Sequence, residues 1–248
     1  MLYPLALYLN DSGEVRQPLE NERPGLAAVV KKCIGCPPEK EVRDTQLRCP
    51  LMIVKRGEVL RNRARNGSRV CLAHVAYVLQ YCVPPLAQYF RSATSAKVVI
   101  IVPYEEAAEW YRTKIAEWCW NSDLRADNGP NVVTLADAKS LTAEVVIFDF
   151  VCRRAAHHVD LGEINRKEPF DNALTCATEV RLTVIGPCEG YLVEKRVQEN
   201  PVLRFLCEAK SSNLHWELNV KEVHPKPDHL DSMGFVNPIL DWSDEEEE

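Results

Sequence analysis

Ala143-Glu-Val-Val-Ile-Phe-Asp-Phe-Val151 is the stretch that decides the fold class, because it is apolar at nearly every position. Lys97-Val-Val-Ile-Ile-Val102 has the same character. Strands that are apolar on both faces are typical of parallel sheets that helices cover on both sides. The two stretches therefore predict an α/β fold built on a buried parallel sheet.

Outward from these two strands, the chain alternates short apolar runs with amphipathic segments. Three further buried strands are predicted at 50–54, 131–135 and 180–186. Helices are predicted over 68–83, 105–120, 171–178 and 200–209, with Ser68 as the first N-cap and Pro84-Pro85 ending that first helix. In the second helix the predicted buried face carries Ala108, Tyr111, Ile115 and Trp118. Strands that alternate with such helices predict a covered parallel sheet.

The pattern divides the chain into three parts. Residues 1–50 are rich in proline and charge and predict an irregular N-terminal segment. Residues 51–216 hold the alternating strands and helices and predict the folded domain. Residues 217–248 lose this periodicity and end in an acidic run, which predicts a disordered tail.

The formal net charge of −6 comes from the last eight residues, which carry six acids and no base. The remaining 30 acids balance the 30 lysines and arginines. Composition therefore argues neither for nor against a nucleic-acid partner.

The N-terminal residues 1–10 are mostly apolar but lack the basic region and cleavage site of a signal peptide. No apolar run approaches the roughly 18 residues needed to span a bilayer. We expect an intracellular protein of the cytoplasm or nucleus without membrane contact.

The ten cysteines are spaced irregularly, and five of them lie in apolar stretches, as buried reduced thiols do: Cys71, Cys82, Cys119, Cys152 and Cys207. Cys33-Ile-Gly-Cys36, with Cys49 and Cys71-Leu-Ala-His74 further along, is the arrangement that suggests zinc. The second pair falls inside a predicted helix, whereas structural zinc ligands lie on turns. We predict free thiols, and zinc binding by Cys33 and Cys36 stays an open alternative.

Three segments, in this order, resemble motifs of the second RecA-like lobe of superfamily 1 helicases. Val98-Val-Ile-Ile-Val-Pro-Tyr104 is similar to a family strand that ends in Thr-Pro-Tyr. Val133-Thr-Leu-Ala-Asp-Ala-Lys-Ser-Leu-Thr-Ala-Glu-Val-Val-Ile147 is similar to Thr-Val-Asp-x-x-Gln-Gly-x-Glu-x-Asp-x-Val-Ile. Ala173-Leu-Thr-Cys-Ala177, which runs into Leu182-Thr-Val-Ile-Gly186, is similar to Asn-Val-Ala-Leu-Thr-Arg-Ala and the strand after it. The resemblance covers residues 50–216 and is closest to the group that includes the nonsense-mediated-decay helicase.

This resemblance implies a RecA-like parallel sheet of the P-loop NTPase type, with helices on both faces and ATP bound between two such lobes. The sequence contains no Gly-x-x-x-x-Gly-Lys-Ser/Thr loop to cradle a phosphate. We therefore expect a degenerate helicase C-terminal lobe that does not hydrolyse ATP by itself. It should need no cofactor, and it should bind ATP and magnesium only when a first lobe is supplied in trans.

The positions that contact nucleotide in the family carry different residues here. Cys176 stands where the family has the arginine that reaches the γ-phosphate, and Thr175 precedes it. The family's Gln-Gly-x-Glu reads Lys139-Ser-Leu-Thr142. The resemblance thus makes Lys139, Thr142, Thr175 and Cys176 nucleotide-facing remnants, and we predict no catalytic residue and no metal ligand.

Two other sets of residues are candidates for nucleic-acid contact. Thr134 and Tyr104 occupy positions that face nucleic acid or nucleotide in the family, although they also fit an ordinary strand residue and a core tyrosine. Arg61, Arg63 and Arg65 form a basic cluster that suits either phosphates or a solvated loop. We expect any nucleic-acid binding to be weak.

A non-catalytic protein-interaction scaffold is the alternative function. In that case the sheet is a framework, and the tail docks onto a partner through apolar residues that alternate with acids. The expected partners are a first helicase lobe or another protein that binds the acidic tail.

Overall fold

The computed structural model of the chain describes residues 25–36, 42, 47–55, 59–62, 68–125, 128–151, 153–154, 159–186, 202, 204, 215–219 and 235–236. Parallel strands and helices alternate along this part of the chain, and the helices lie on both faces of one sheet. The predicted α/β class is therefore confirmed.

The strands are β1 Leu51–Lys55, β2 Val59–Asn62, β3 Ser68–Cys71, β4 Val98–Val102, β5 Asn131–Thr134, β6 Ala143–Phe150, β7 Arg153–Arg154, β8 Val159–Asp160, β9 Ala177–Ile185, β10 His215–Asn219 and β11 Phe235–Val236. The α-helices are α1 Leu26–Cys33, α2 Leu72–Tyr77, α3 Val83–Phe90, α4 Thr94–Lys97, α5 Glu105–Asn121 and α6 Lys167–Thr175. A π-helical segment, Val78–Cys82, joins α2 to α3. Short 3₁₀ turns lie at Arg91–Ala93 and Gly162–Asn165.

The main sheet has six strands in the order β10-β1-β9-β6-β4-β5, and all of its neighbouring pairs are parallel. Five of these strands, β1, β4, β5, β6 and β9, were predicted from apolar runs and are confirmed. Two smaller antiparallel sheets, β11-β2-β3 and β7-β8, lie outside this order.

The core lies on both faces of the main sheet, because alternate side chains of each strand point to opposite sides. In β4, Val98, Ile100 and Val102 pack with residues of α1, α2, α3 and α5. Val99 and Ile101 pack instead with residues of α6 and the 3₁₀ turn. All five β4 side chains are buried, and each contributes on the order of 1.5–3 kcal/mol.

The first predicted helix differs from the structure at both of its ends. Ser68 does not cap a helix, because Ser68–Cys71 forms β3 and pairs with β2. Pro84-Pro85 does not end the helix either, because both prolines lie in the first turn of α3. Backbone N–H groups in a first turn have no intrahelical acceptor, so proline is tolerated there.

Two of the predicted segment descriptions also differ from the structure. The N-terminal segment, predicted to be irregular, contains α1, which buries Val29, Val30 and Cys33. The boundary at residue 216 falls inside β10, which pairs with β1 along its whole length. β11 also lies in the predicted tail, so hydrogen-bonded partners hold strands that local sequence pattern does not reveal.

The remaining helices start or end a few residues from their predicted limits. α6 begins at Lys167, four residues before the predicted Asp171. Of the helix predicted over 200–209, Val202 and Arg204 lie within the described residues, and both are helical. Among the described residues, no helix combines the length and the apolar character required to cross a membrane.

Candidate functional site

The four residues that the helicase resemblance assigns to nucleotide lie where two neighbouring strands begin. Lys139 and Thr142 precede β6, and Thr175 and Cys176 precede β9. β6 and β9 are parallel neighbours paired from Ala143 onward. The Ala143 N–H donates to the Cys176 carbonyl at 3.0 Å, which links the segment before β9 to the first residue of β6. We call these four residues the amino-edge patch.

Lys139 is the cation of the amino-edge patch, and an acid lies beside it. Its Nζ is 4.0 Å from Oε1 of Glu168, and the two side chains are 74% and 78% exposed. An exposed pair of this kind is worth about 0–1 kcal/mol. The Glu168 carboxylate nevertheless offsets the positive charge of Lys139, which a phosphate bound there would meet.

Cys176, which is buried, and Thr175, which is exposed, both direct their polar hydrogens to carbonyls of their own chain. Cys176 is 3% exposed, and its Sγ–H donates to the carbonyls of Asn172 at 2.9 Å and Ala138 at 3.4 Å. Burial raises the pKa of the Cys176 thiol, so the neutral form is favoured. The Thr175 hydroxyl donates to the carbonyls of Asp171 at 3.1 Å and Asn172 at 3.0 Å. Neither residue presents a positive charge to solvent.

Thr134 and Tyr104 lie at the opposite, carboxyl edge of the sheet: Thr134 is the last residue of β5, and Tyr104 follows β4. Each is 8% exposed. The Thr134 hydroxyl donates to Oδ2 of Asp137 at 2.6 Å, and the Tyr104 hydroxyl accepts from the Glu163 N–H at 3.3 Å. A base can stack only on an accessible ring, and the ring of Tyr104 faces the Arg69 guanidinium at 5.8 Å. The structure thus places both residues in the fold rather than on an open surface.

Arg61, the described member of the arginine cluster, belongs to a different sheet from the strands that the amino-edge patch precedes. Arg61 belongs to β2 of the three-stranded sheet, where it pairs in register with Arg69 of β3 and Val236 of β11. Arg63 and Arg65 lie outside the described residues. The register places one predicted phosphate-binding arginine directly opposite a second arginine.

The structure also brings together a group of buried polar residues near the carboxyl edge. Nδ1 of His74 in α2 lies 2.6 Å from Oδ1 of Asp149 in β6. The hydroxyl of Tyr111 in α5 donates to Oδ2 of the same carboxylate at 2.9 Å. All three residues are at most 2% exposed, as is Cys71, which precedes α2. We call Cys71, His74, Tyr111 and Asp149 the buried polar cluster.

Electrostatics within the buried polar cluster favour a charged imidazole. Burial by itself lowers the pKa of His74. The interactions with Cys71 and Asp149 outweigh burial, so that the pKa of His74 lies well above its ordinary 6.5. Burial, together with the negative charge of Asp149, raises the pKa of Tyr111 and keeps its hydroxyl protonated as a donor. The cluster is therefore a histidine–carboxylate pair with a tyrosine as second donor.

A carboxylate that holds Nδ1 of a histidine is also the orienting pair of many hydrolytic enzymes, which use Nε2 on the substrate. Here Nε2 of His74 is buried and has no hydrogen-bond partner among the described residues. A Cβ placed on Gly186, just after β9, would lie 3.8 Å from this nitrogen. Because the whole cluster is buried, it tethers α2 and α5 to the sheet instead of facing a solvent-open site.

Sequence reasoning did not assemble this cluster, although it considered three of its members. Tyr111 was predicted on the buried face of its helix, and Cys71 and His74 were weighed as zinc ligands. The signal for the fourth was Asp149, an acid inside an otherwise apolar strand. A buried carboxylate needs a partner, and His74 is 75 residues away along the chain.

The cysteines that suggested zinc have other contacts in the structure. Cys33 is buried, and its Sγ donates to the Cys82 carbonyl at 3.8 Å, whereas Cys36 is half-buried. In the described part of the chain, no three His, Cys, Asp or Glu residues are grouped as metal ligands. The cysteines of that part are all free thiols.

Two comparisons with known proteins add no relative to this picture. A scan with protein-family models finds no match to the sequence. A search among curated proteins finds no matching relative. The functional interpretation therefore depends on the geometry of the amino-edge patch and on the motif resemblance.

Proposed function

We propose that the protein is a degenerate C-terminal RecA-like lobe of the superfamily 1 helicase type that does not hydrolyse ATP by itself. A parallel sheet covered by helices on both faces is the framework such a lobe needs. The amino-edge patch supports the proposal further. Its four residues come from two separate motifs, and they converge where β6 and β9 begin.

The buried, neutral thiol of Cys176 is the observation that supports the proposed lack of ATPase activity. In phosphoryl transfer the protein mainly positions groups and neutralises charge, and a single arginine contributes about 10³–10⁵ in rate. That factor corresponds to about 4–7 kcal/mol of activation free energy. Cys176 occupies the arginine position as a buried, neutral thiol that donates to two carbonyls of its own chain. The nearby cation, Lys139, lies beside Glu168.

Phosphate release is the direct test of this proposal. Purified protein with ATP, magnesium and single-stranded RNA or DNA should release phosphate no faster than a protein-free control. Turnover of about 1 per second, within the ordinary enzyme range, would contradict the proposal if Lys139→Ala or Thr175→Ala abolished it. Lys114→Ala is the matched control, because Lys114 is a helix-surface lysine of α5 that pairs with Glu117.

Nucleotide binding without hydrolysis needs a separate measurement. A ligand that binds the folded state stabilises it by about 2.7 kcal/mol at 100 times its Kd. We expect no shift in the unfolding midpoint of the isolated chain with ATP and magnesium. A shift that Lys139→Ala removes and Lys114→Ala retains would show that the amino-edge patch still holds nucleotide.

A weak, phosphate-driven contact with nucleic acid through Arg61, Arg63 and Arg65 remains part of this proposal. Arg61 pairs in register with Arg69 of the neighbouring strand, and clustered arginines are the usual electrostatic footprint of phosphate binding. Fluorescence anisotropy should show affinity that falls steeply between 50 and 200 mM salt, by roughly tenfold or more. Tight binding that survives alanine at all three positions would contradict this contact.

A non-catalytic interaction scaffold is the second candidate, and one exposed aromatic residue favours it. Trp120, in the last turn of α5, is 84% exposed, and Leu124 close by is 37% exposed. Tryptophan is enriched where protein partners bind. Trp120→Ala should weaken binding to an isolated first helicase lobe measured by calorimetry, whereas Tyr81→Ala, at another exposed aromatic residue, should not. A truncation after Val236 keeps β11 and tests the acidic tail separately.

A further inference from the structure

β5 is an edge strand of the main sheet, so one row of its backbone groups points away from the other strands. The Leu135 N–H, just after β5, donates to the Val102 carbonyl of β4 at 2.7 Å, which shows which row points inward. Because backbone groups alternate between the two sides along a strand, Val132 and Thr134 direct their carbonyls outward. An outward row of this kind is a template on which a strand of another chain can pair.

Groups of the same chain occupy both of these outward carbonyls. The Thr134 carbonyl accepts from the Asp137 N–H at 3.1 Å, in the turn that follows the strand. The Val132 carbonyl accepts from Nη2 of Arg112 at 3.2 Å. The first donor is a backbone group, whereas the second is a side chain of α5. The closure of the edge at Val132 therefore depends on a single replaceable side chain.

An acid on the same helix holds Arg112 in this position. Nη1 of Arg112 donates at 2.6 Å to Oε1 of Glu105, two turns earlier in α5. A guanidinium carries five N–H donors in a planar fork, so it bonds the carboxylate and the carbonyl at the same time. Both side chains are 46% exposed, and an exposed ion pair contributes little to stability. The distinctive contact of Arg112 is therefore the one with the strand edge.

We propose that Arg112 is an edge guard that keeps the β5 strands of two copies of this chain from pairing with each other. A second copy is the partner that the guard excludes, because every copy carries the same edge and two such edges can meet about a two-fold axis. With Val132 opposite its own equivalent in an antiparallel pair, each copy would donate one N–H and accept one at the carbonyl that Arg112 covers. This role does not depend on the helicase resemblance.

Sedimentation velocity over a range of protein concentrations tests the edge guard through the dimerisation constant. A hydrogen bond from a charged donor is worth roughly tenfold in an association constant, and each copy of Arg112→Ala loses one competing bond of this kind. We therefore expect the dimerisation constant of Arg112→Ala to rise about 10- to 100-fold over that of the wild-type chain. Lys114→Ala is the matched control, because it removes a nearby cation of α5 that bonds Glu117 instead of the strand. An unchanged constant in Arg112→Ala, or an equal rise in Lys114→Ala, would overturn the proposal.

Further variants locate the contact and separate it from a folding defect. Arg112→Gln keeps a polar side chain without the charge and the fork, and it should show the same rise. Asn131→Lys places a charge on the exposed first residue of β5. Added to Arg112→Ala, it should return the constant to the wild-type value, because charged side chains on an edge strand oppose pairing. A folded Arg112→Gln that dimerises no more than the wild-type chain would refute the edge guard, and so would association that Asn131→Lys leaves unchanged.

Amide hydrogen exchange shows whether the copies meet at β5. In Arg112→Ala the outward Val132 N–H should become more protected as the protein concentration rises. The Leu135 N–H, which bonds β4 within one copy, should keep constant protection and is the internal reference. Association without added protection at Val132 would place the interface elsewhere and refute the edge guard.

Discussion

His74→Leu tests whether the buried pair matters to stability as its geometry indicates. The substitution replaces the imidazole by an apolar side chain and leaves the Asp149 carboxylate, which is fully buried, with the Tyr111 hydroxyl as its remaining donor. Removing one partner of a buried ion pair costs about 3–5 kcal/mol, because the other charge is left uncompensated. For a chain of this size the loss lowers the midpoint of thermal unfolding by about 6–20 °C.

The assay is urea unfolding at pH 6, followed by tryptophan fluorescence, with the slope m compared between variants. The control is the triple variant His74→Leu/Asp149→Val/Tyr111→Phe, which removes the charge together with both of its partners. Replacing a whole buried pair by apolar residues is often neutral or stabilising, so the triple variant should be more stable than His74→Leu alone. A loss below about 1 kcal/mol for the single variant, the range of exposed pairs, would refute the reasoning. A triple variant less stable than the single one would refute it equally.

The pH dependence of global stability is a second expectation. Because the pKa of folded His74 lies above 6.5, its contribution is complete below pH 6.5 and is lost as the pH rises through the folded value. Urea unfolding should show a decline of up to about 1.4 kcal/mol per pH unit in that window, and His74→Leu should lack this decline. Gly162→Ala should destabilise the fold by about 1–3 kcal/mol, because residue 162 has φ +54° and a Cβ there would lie 1.9 Å from the Tyr104 hydroxyl. Tyr104→Phe should recover part of that loss in thermal unfolding, and an equal loss in both backgrounds would exclude the clash. In native protein, iodoacetamide and mass spectrometry should find the exposed Cys49 modified faster than the buried thiols, and their rapid modification before unfolding would contradict their burial: Cys33, Cys71, Cys82, Cys119 and Cys176.

The strands of the main sheet show how much of the fold the local sequence pattern predicts. Val98–Val102 and the stretch from Ala143 to Phe150 are apolar at nearly every position, so burial on both faces follows from composition alone. Their burial in the main sheet confirms this prediction. The sequence places the two halves of the amino-edge patch before the fourth and fifth predicted strands, but only the structure shows that these strands, β6 and β9, are neighbours. The charge balance of the patch was not predictable, since Glu168 lies nearly thirty residues after Lys139.

Ser68–Cys71 shows why local pattern is insufficient elsewhere. These residues continue the helical periodicity of the following segment, yet they form β3 because β2 offers a partner for their backbone groups. Likewise, residues 217–219 were predicted to begin a disordered tail, whereas they belong to β10, which pairs with β1 at every residue from His215 to Asn219.

The sequence by itself determined the α/β class and the five central strands. Those properties depend on the polarity of residues that lie close together along the chain. Only the tertiary structure decided which strands pair with β1 and β2. It also decided that His74 is the partner of Asp149. Strand edges and buried charges are satisfied by whichever groups folding brings within hydrogen-bond distance. For Asp149 that group is the imidazole of His74, which is 75 residues away along the chain.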